Sequence, residues 1–117
     1  MSEGTAAPIY RLGGQFVQLT QEDSGRRYAL HVNDHITLTL PETPTTGYEW
    51  QARVDPDLLR ELENRFDGET TPRGAAGTRI ITFEVAKPGI ATLRCDRRRA
   101  WESDAAEQFQ VYLDIQP

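Results

Sequence analysis

The chain has 117 residues and one cysteine, which fits a single domain with its own core and excludes an internal disulfide. Its formal net charge of −5 argues against nucleic acid as the main partner, because neutralising phosphates requires a basic face. No apolar run approaches the roughly 20 residues that span a bilayer, and residues 1–8 lack the basic start and apolar stretch of a signal peptide. We therefore expect a cytoplasmic monomer without a membrane partner, with export after removal of a signal as the alternative.

Short strands separated by turn signals follow one another along most of the chain. Residues 1–14 are predicted to be a flexible lead, and residues 15–117 to form one domain. Turn signals include Asn33-Asp34 and Lys87-Pro88-Gly89. The strands are predicted at Gln15–Leu19, Arg27–Val32, His35–Leu40, Tyr48–Val54, Leu62–Phe66, Thr78–Ala86, Ile90–Cys95 and Gln108–Ile115.

One segment, Asp55–Phe66, is ambiguous. Asp55 and Pro56 are residues that can begin a helix, and Leu58, Leu59 and Leu62 have helical spacing. We interpret this segment as a turn or short helical piece that leads into the strand at Leu62–Phe66.

Alternation of apolar and polar residues identifies the expected core. Ile36, Leu38 and Leu40 share one face of their strand, and Ile81, Phe83 and Val85 share one face of another. The remaining core residues are predicted to be Leu93, Phe109, Val111 and Leu113. About seven or eight short strands with almost no helix predict an all-β fold, an antiparallel β-sandwich of immunoglobulin-like type. The periodicity does not fix its topology.

The residues that could carry catalysis have simpler structural explanations. Cys95 falls on the apolar side of its strand with Ala91 and Leu93, so we interpret it as a small core residue. His31 and His35 lack the further ligands that a metal site requires, and they are expected at the surface. No phosphate-binding glycine loop is evident. We therefore predict no catalytic, metal-binding or cofactor-binding residues, and no enzyme.

Three loops have unusual sequences: Thr43-Pro44-Thr45-Thr46-Gly47-Tyr48, Arg73-Gly74-Ala75-Ala76-Gly77 and Arg97-Arg98-Arg99-Ala100-Trp101. Each alone has an ordinary explanation: a rigid turn, a flexible hairpin end, and a tryptophan that folds back on the core. Arg97 and Arg98 are interpreted as solvated loop residues.

Taken together and in this order, the three loops resemble those of the chagasin family of cysteine peptidase inhibitors. That family has an Asn-Pro-Thr-Thr-Gly-aromatic loop, a glycine-rich middle loop and an Arg-Pro-Trp-like loop. The resemblance extends over residues 15–116 and implies an immunoglobulin-like sandwich that inhibits papain-like cysteine peptidases. The peptidase-binding residues that it implies are Thr43, Pro44, Thr45, Thr46, Gly47, Tyr48, Gly74, Ala75, Ala76, Gly77, Arg99 and Trp101.

The chain departs from the family pattern at three positions. Thr43 stands where the family usually has asparagine, Ala76 where glycine is frequent, and Ala100 where proline is usual. We expect the loss of proline to loosen the presentation of Trp101. The alternative function is an immunoglobulin-like binding module for another protein ligand, because a fold does not determine function.

Overall fold

We describe the fold from a computed structural model, over residues 14–68 and 77–117. Residues 1–13, which make up nearly all of the predicted lead, lie outside this description. No helix in the described part is long and apolar enough to cross a membrane. The strands are β1 (Phe16–Thr20), β2 (Arg27–His31), β3 (His35–Glu42), β4 (Glu49–Arg53), β5 (Leu59–Asp67), β6 (Gly77–Val85), β7 (Gly89–Arg98) and β8 (Glu107–Gln116).

The strands form two four-stranded sheets. The first sheet has the order β1-β3-β6-β5, and the second has the order β2-β8-β7-β4. Neighbouring strands are antiparallel except at one edge of each sheet, where β1 pairs with β3 and β2 pairs with β8 in parallel. The predicted β-sandwich is confirmed, and the parallel edge pairs are a feature that strand periodicity could not reveal.

The core lies between the inward faces of the two sheets. Ile36 is opposite Phe83 and Leu38 is opposite Ile81, so the alternating apolar residues of β3 and β6 stack along one face. Every residue predicted for the core is buried. Burying a side chain of this size stabilises the fold by about 1.5–3 kcal/mol relative to leaving it exposed. Buried residues that the sequence analysis had not named for the core include Leu19, Leu30, Trp50 and Leu59.

The ambiguous segment is a turn followed directly by a strand. The side chain of Asp55 accepts a hydrogen bond from the main-chain N–H of Asp57 over 2.9 Å. Its carbonyl oxygen accepts one from the N–H of Leu59 over 3.0 Å. β5 then begins at Leu59, earlier than predicted, and Leu62 is half exposed beside a bulge in the strand. The leucine spacing therefore reflects a strand with a shifted register and not a helix.

Two strands extend further than the sequence patterns indicate. β3 continues through Pro41 to Glu42, past Thr39, where its pairing with β1 ends. Proline is tolerated there because β3 has only one neighbour at that point. β7 continues to Arg98, which pairs with Glu49 of β4, so the predicted loop from Asp96 begins later.

The first and third loops, and the strand ends that flank the middle loop, lie at one end of the sandwich, which we call the loop end. Residues 43–48, the first loop, connect β3 in the first sheet to β4 in the second. Residues 99–106, the third loop, connect β7 to β8. The connection between β5 and β6, the middle loop, contains Gly74, Ala75 and Ala76, which lie outside the described residues. Gly77, the last predicted residue of that loop, is the first residue of β6.

Candidate functional site

The first loop is a short 3₁₀ turn, Pro44–Thr46, held by its own backbone and by one hydroxyl. The carbonyl oxygen of Thr43 accepts hydrogen bonds from the main-chain N–H and from the Oγ1 hydroxyl of Thr46, over 3.1 and 2.7 Å. The same Oγ1 accepts a bond from the N–H of Tyr48 over 3.3 Å. The Thr46 hydroxyl therefore closes the turn on both sides, and Thr43 contributes its carbonyl oxygen.

Gly47 ends the turn with a φ of +80°, a left-handed conformation that non-glycine residues rarely adopt. A Cβ atom at this position would lie 3.6 Å from the Trp101 ring and 3.8 Å from Arg99, which is ordinary contact distance. Glycine is therefore required here by the backbone conformation rather than by lack of space.

The third loop is closed by Glu102. Its N–H donates to the carbonyl oxygen of Arg99 over 3.1 Å, which defines a four-residue turn, and its carboxylate accepts the N–H of Arg99 over 3.3 Å. Its carbonyl oxygen accepts a bond from Nη1 of Arg98 over 2.5 Å. Glu102 thus orders the turn without proline at position 100. Sequence reasoning missed this residue.

Arg99 connects the third loop to the first. Its Nε donates a hydrogen bond to the carbonyl oxygen of Thr46 over 3.1 Å. Its guanidinium carbon lies 4.4 Å from the centre of the Tyr48 ring and 5.8 Å from that of the Trp101 ring. A guanidinium within about 6 Å of an aromatic centre is attracted to the ring. The guanidinium carbon of Arg97 also lies 5.0 Å from the centre of the Tyr48 ring.

Arg97 and Arg98 are the last residues of β7, half buried and bonded within the protein. Arg97 forms an ion pair with Glu107 at 3.2 Å, and Arg98 donates to the side chain of Gln51 over 3.0 Å. The interpretation of these two residues as a solvated loop was therefore wrong. Their alkyl and guanidinium groups help to fix the start of the third loop.

Trp101 has 76% of its surface exposed, although it is one of the largest apolar side chains in the chain. The explanation in which this tryptophan folds back on the core is therefore wrong. Tryptophan is over-represented among the few residues that carry most of the binding energy at protein interfaces.

A buried ion pair lies beneath the first loop. Glu42, at the end of β3, is 4% exposed and contacts Nη2 of Arg79 at 2.6 Å. The same carboxylate accepts the main-chain N–H of Trp50 over 2.9 Å, and the indole N–H of Trp50 donates to the carbonyl oxygen of Pro41 over 2.8 Å. The sequence analysis did not identify this pair. The sequence does hint at it, because Glu42 continues the alternation of Ile36, Leu38 and Leu40 and so lies on the inward face of β3.

The structure brings most of the predicted site residues together. Thr43, Pro44, Thr45, Thr46, Gly47 and Tyr48 form the first loop, and Arg99 and Trp101 lie beside it in the third. Gly77 pairs with Glu42 at the base of the first loop. Gly74, Ala75 and Ala76 remain predictions, because they lie outside the described residues.

Cys95 is fully buried on the inward face of β7. Burial raises the pKa of its thiol from 9.0 to about 12, and the negative charges of Asp96 and Glu61 add to the rise. A thiol held protonated is a poor nucleophile, as expected for a structural residue. Among residues 14–68 and 77–117, no group of three or more histidine, cysteine, aspartate or glutamate side chains is placed to hold a metal ion.

Comparison with known proteins identifies the family. The sequence model of a protein family, the chagasin family peptidase inhibitor I42, matches residues 29–114, which is most of the chain. The chain belongs to the chagasin family of peptidase inhibitors. It is 27% identical to chagasin from Trypanosoma cruzi over 82% of this chain and 94% of that protein. It is 28% identical to amoebiasin-2 from Entamoeba histolytica over 72% of this chain and 71% of that protein. The prediction of an inhibitor of papain-like cysteine peptidases, and not an enzyme, is confirmed by this membership.

Two solved structures share the fold. The cysteine protease inhibitor EhICP2 from Entamoeba histolytica matches with a TM-score of 0.80 at 22% identity, over 87% of this chain and 96% of that structure. PbICP-C, solved in complex with falcipain-2, matches with a TM-score of 0.61 at 14% identity, over 88% of this chain and 100% of that structure. At these identities the likeness establishes the fold of the family in this chain.

Proposed function

We propose that this family member inhibits papain-like cysteine peptidases by inserting the loop end of its sandwich into the active-site cleft. The inserted residues are those of the first loop, Thr43–Tyr48, those of the middle loop, Gly74–Gly77, and Arg99 and Trp101 of the third loop. The observation that carries the proposal is the Arg99 bridge, because one side chain holds the first loop and Trp101 together as a single protruding surface.

The first loop would enter the cleft beside the catalytic cysteine. Thr45 and Thr46 are exposed, and both are small enough for a narrow slot. The Thr46 hydroxyl already has partners within the loop, so the turn keeps its shape without the enzyme. A loop held in a 3₁₀ turn is not extended, and an extended strand is what a peptidase needs to align a scissile bond. Inhibition without cleavage is the result.

Trp101 would act as the apolar anchor of the complex. Burying an exposed indole against aromatic residues of the enzyme contributes area and stacking at once. Because the turn that carries it is already ordered by Glu102 and Arg99, little conformational entropy is lost on binding. The proposed complex is therefore tight and reversible, with no covalent bond to the enzyme.

The test is titration of papain and of a cathepsin-like peptidase with the purified protein. We expect reversible inhibition that competes with a small substrate, relief on dilution, and an inhibitor of unchanged mass after overnight incubation with excess enzyme. Absence of inhibition at high micromolar concentration across several such peptidases would contradict the proposal and favour a binding module for another ligand. If the protein slowed digestion of a protein substrate but left hydrolysis of a small peptide substrate intact, the contact would lie outside the active site.

A further inference from the structure

We propose that the Glu42–Arg79 ion pair is the positioning element that keeps the first loop from being cut as a substrate. The inference rests on the proposed function, because it concerns how the binding loops are held. Neither residue is exposed enough to make much contact with an enzyme: the side chains of Glu42 and Arg79 are 3% and 15% exposed. They act through the loops above them.

The pair joins both ends of the first loop. Glu42 is the residue immediately before the loop, and Trp50 follows shortly after it, in the other sheet. The hydrogen bond from the N–H of Trp50 to Oε1 of Glu42 therefore closes the crossover between the two sheets. A loop whose ends are fixed in this way has few conformations available to it.

The pair also holds the strands that flank the middle loop. Arg79 lies near the start of β6, just after that loop, and its Nη1 donates to the side chain of Asn64 in β5 over 3.1 Å. Its Nε and Nη2 bind both oxygens of Glu42. One guanidinium thus connects β3, β5 and β6, and through Glu42 it connects β4 as well.

A cleft of about 260 Å³ lies at this pair, between the first loop and β5. Its walls include Gly47 and Tyr48 of the first loop and Phe66 beside the middle loop, and Glu42 and Arg79 also line it. The ion pair is therefore a shared support for the first loop and for the strand ends that flank the middle loop. Without it, the first loop can move relative to β5 and β6 and adopt the extended form that a peptidase cleaves.

The removal of charge at Glu42 tests this role with little change of shape. In Glu42→Gln the side-chain oxygen still accepts the N–H of Trp50, but the amide nitrogen faces the guanidinium of Arg79. We expect the dissociation rate from papain to rise about tenfold, because the binding geometry is no longer held before contact. We also expect slow cleavage of the variant within residues 43–48, detected by mass spectrometry, while the native protein stays intact.

Asp34→Asn is the matched control, because Asp34 is also a buried carboxylate that accepts main-chain N–H groups. It is 3% exposed and accepts the N–H of His31 and of Gln15 over 2.8 and 3.0 Å, at the opposite end of β3. We expect this variant to lower the melting temperature as Glu42→Gln does, while its inhibition constant stays within about twofold of the native value and it resists cleavage. Equal inhibition by the two variants, with neither cleaved, would make the Glu42 pair a stability element alone and overturn the proposal.

Hydrogen exchange on the free protein separates this inference from the proposed function. In Glu42→Gln we expect faster exchange at Trp50 and in residues 43–48, with no change around Asp34. Native protein that fails to inhibit, together with local loosening in the variant, would refute the proposed function and leave the support role standing. Unchanged exchange in the first loop, whatever the inhibition, would refute the support role itself.

Discussion

Arg99 of the third loop donates a hydrogen bond from Nε to the carbonyl oxygen of Thr46 in the first loop, over 3.1 Å. The two residues are far apart in the sequence, and each belongs to a loop that alone would be an ordinary turn. The hydrogen bond requires an N–H donor within the side chain. The contact with Tyr48 requires a planar group that can lie over its ring. A guanidinium satisfies both requirements, whereas an ammonium group satisfies them less well.

Arg99→Met should therefore weaken inhibition more than it weakens the fold. We expect an inhibition constant about tenfold higher, equal to about 1.4 kcal/mol of binding free energy. The melting temperature should fall little, because the side chain lies outside the core. Inhibition kinetics and thermal melting of the same preparations measure the two effects.

Arg27→Met is the matched control for Arg99. The Arg27 guanidinium carbon also lies over a tyrosine ring, 5.6 Å from the centre of Tyr112, but on the outer face of the second sheet. We expect this variant to inhibit like the native protein. Loss of inhibition by both variants to the same extent would show that net charge matters and that the bridge between the loops does not.

The sequence was a good guide to the core and a poorer one to the supports of the loops. The inward residues of β3 and β6 follow from alternation alone, because a half-buried strand repeats every second residue. The helical spacing of Leu58, Leu59 and Leu62 was misleading, because a bulge shifts the register of β5 and exposes Leu62. Short apolar runs of this kind fit a strand and a helix equally well.

The loop motifs indicated which residues to propose for the binding surface, but they did not indicate the groups that hold those residues in place. Glu42 and Arg79 lie on strands whose pairing is invisible in one sequence, and Glu102 stands in a polar loop among other acidic residues. Each acts through a hydrogen bond that depends on register and side-chain geometry. The order of the three motifs indicates a binding surface, whereas its internal support depends on how the strands pair in three dimensions.

Thr46→Ala should loosen the first loop, because the hydroxyl of Thr46 donates to Thr43 and accepts from Tyr48. We expect a loss of about 1 kcal/mol of binding free energy, the usual contribution of one hydrogen bond. Thr46→Ser keeps the hydroxyl and should retain most of the affinity, at a small cost for the missing methyl group. Equal losses in the two variants, measured as inhibition constants, would mean that the methyl group contacts the enzyme and that the hydroxyl is dispensable.

Ala100→Pro should strengthen the third loop. Ala100 is the second residue of the turn that Arg99 and Glu102 close, and proline is favoured at that position. Restricting the unfolded chain there should raise the free energy of unfolding by about 0.4–1 kcal/mol. Chemical denaturation measures this change, and a slower dissociation from papain should accompany it. A destabilised variant would show that the N–H of Ala100 or the backbone angle of Arg99 is incompatible with proline.

Cys95 should make the fold less stable at high pH. The pKa of its thiol is 9.0 without the fold and about 12 when buried, so between these values the unfolded chain loses a proton that the native protein keeps. Stability from this group is therefore fully present below pH 9 and falls as the pH rises toward 12. Urea denaturation at intervals from pH 8 to about 10.5 should show a steeper decline in the native protein than in Cys95→Ala. Parallel curves would mean that the thiol has no raised pKa in the folded state.

Trp101 should be the largest single contributor to binding. It is 76% exposed in the free protein, so its truncation removes contact area with the enzyme and almost none with the core. Trp101→Ala should cost about 2 kcal/mol or more of binding free energy, mainly through faster dissociation. The melting temperature should stay within a degree or two of the native value, because surface substitutions of this kind change stability by only about 0.5 kcal/mol.

Ile90→Ala and Thr45→Tyr complete the test of Trp101. Ile90 is 71% exposed near the start of β7, at the end of the sandwich opposite the loops, so its truncation should leave inhibition unchanged. Thr45→Tyr adds bulk to an exposed position of the first loop and should weaken inhibition more than Trp101→Ala, because a narrow slot cannot accept the extra volume. If Trp101→Ala lowered the melting temperature sharply while Thr45→Tyr inhibited normally, the tryptophan would be a structural residue. The peptidase would then bind elsewhere than at the loop end.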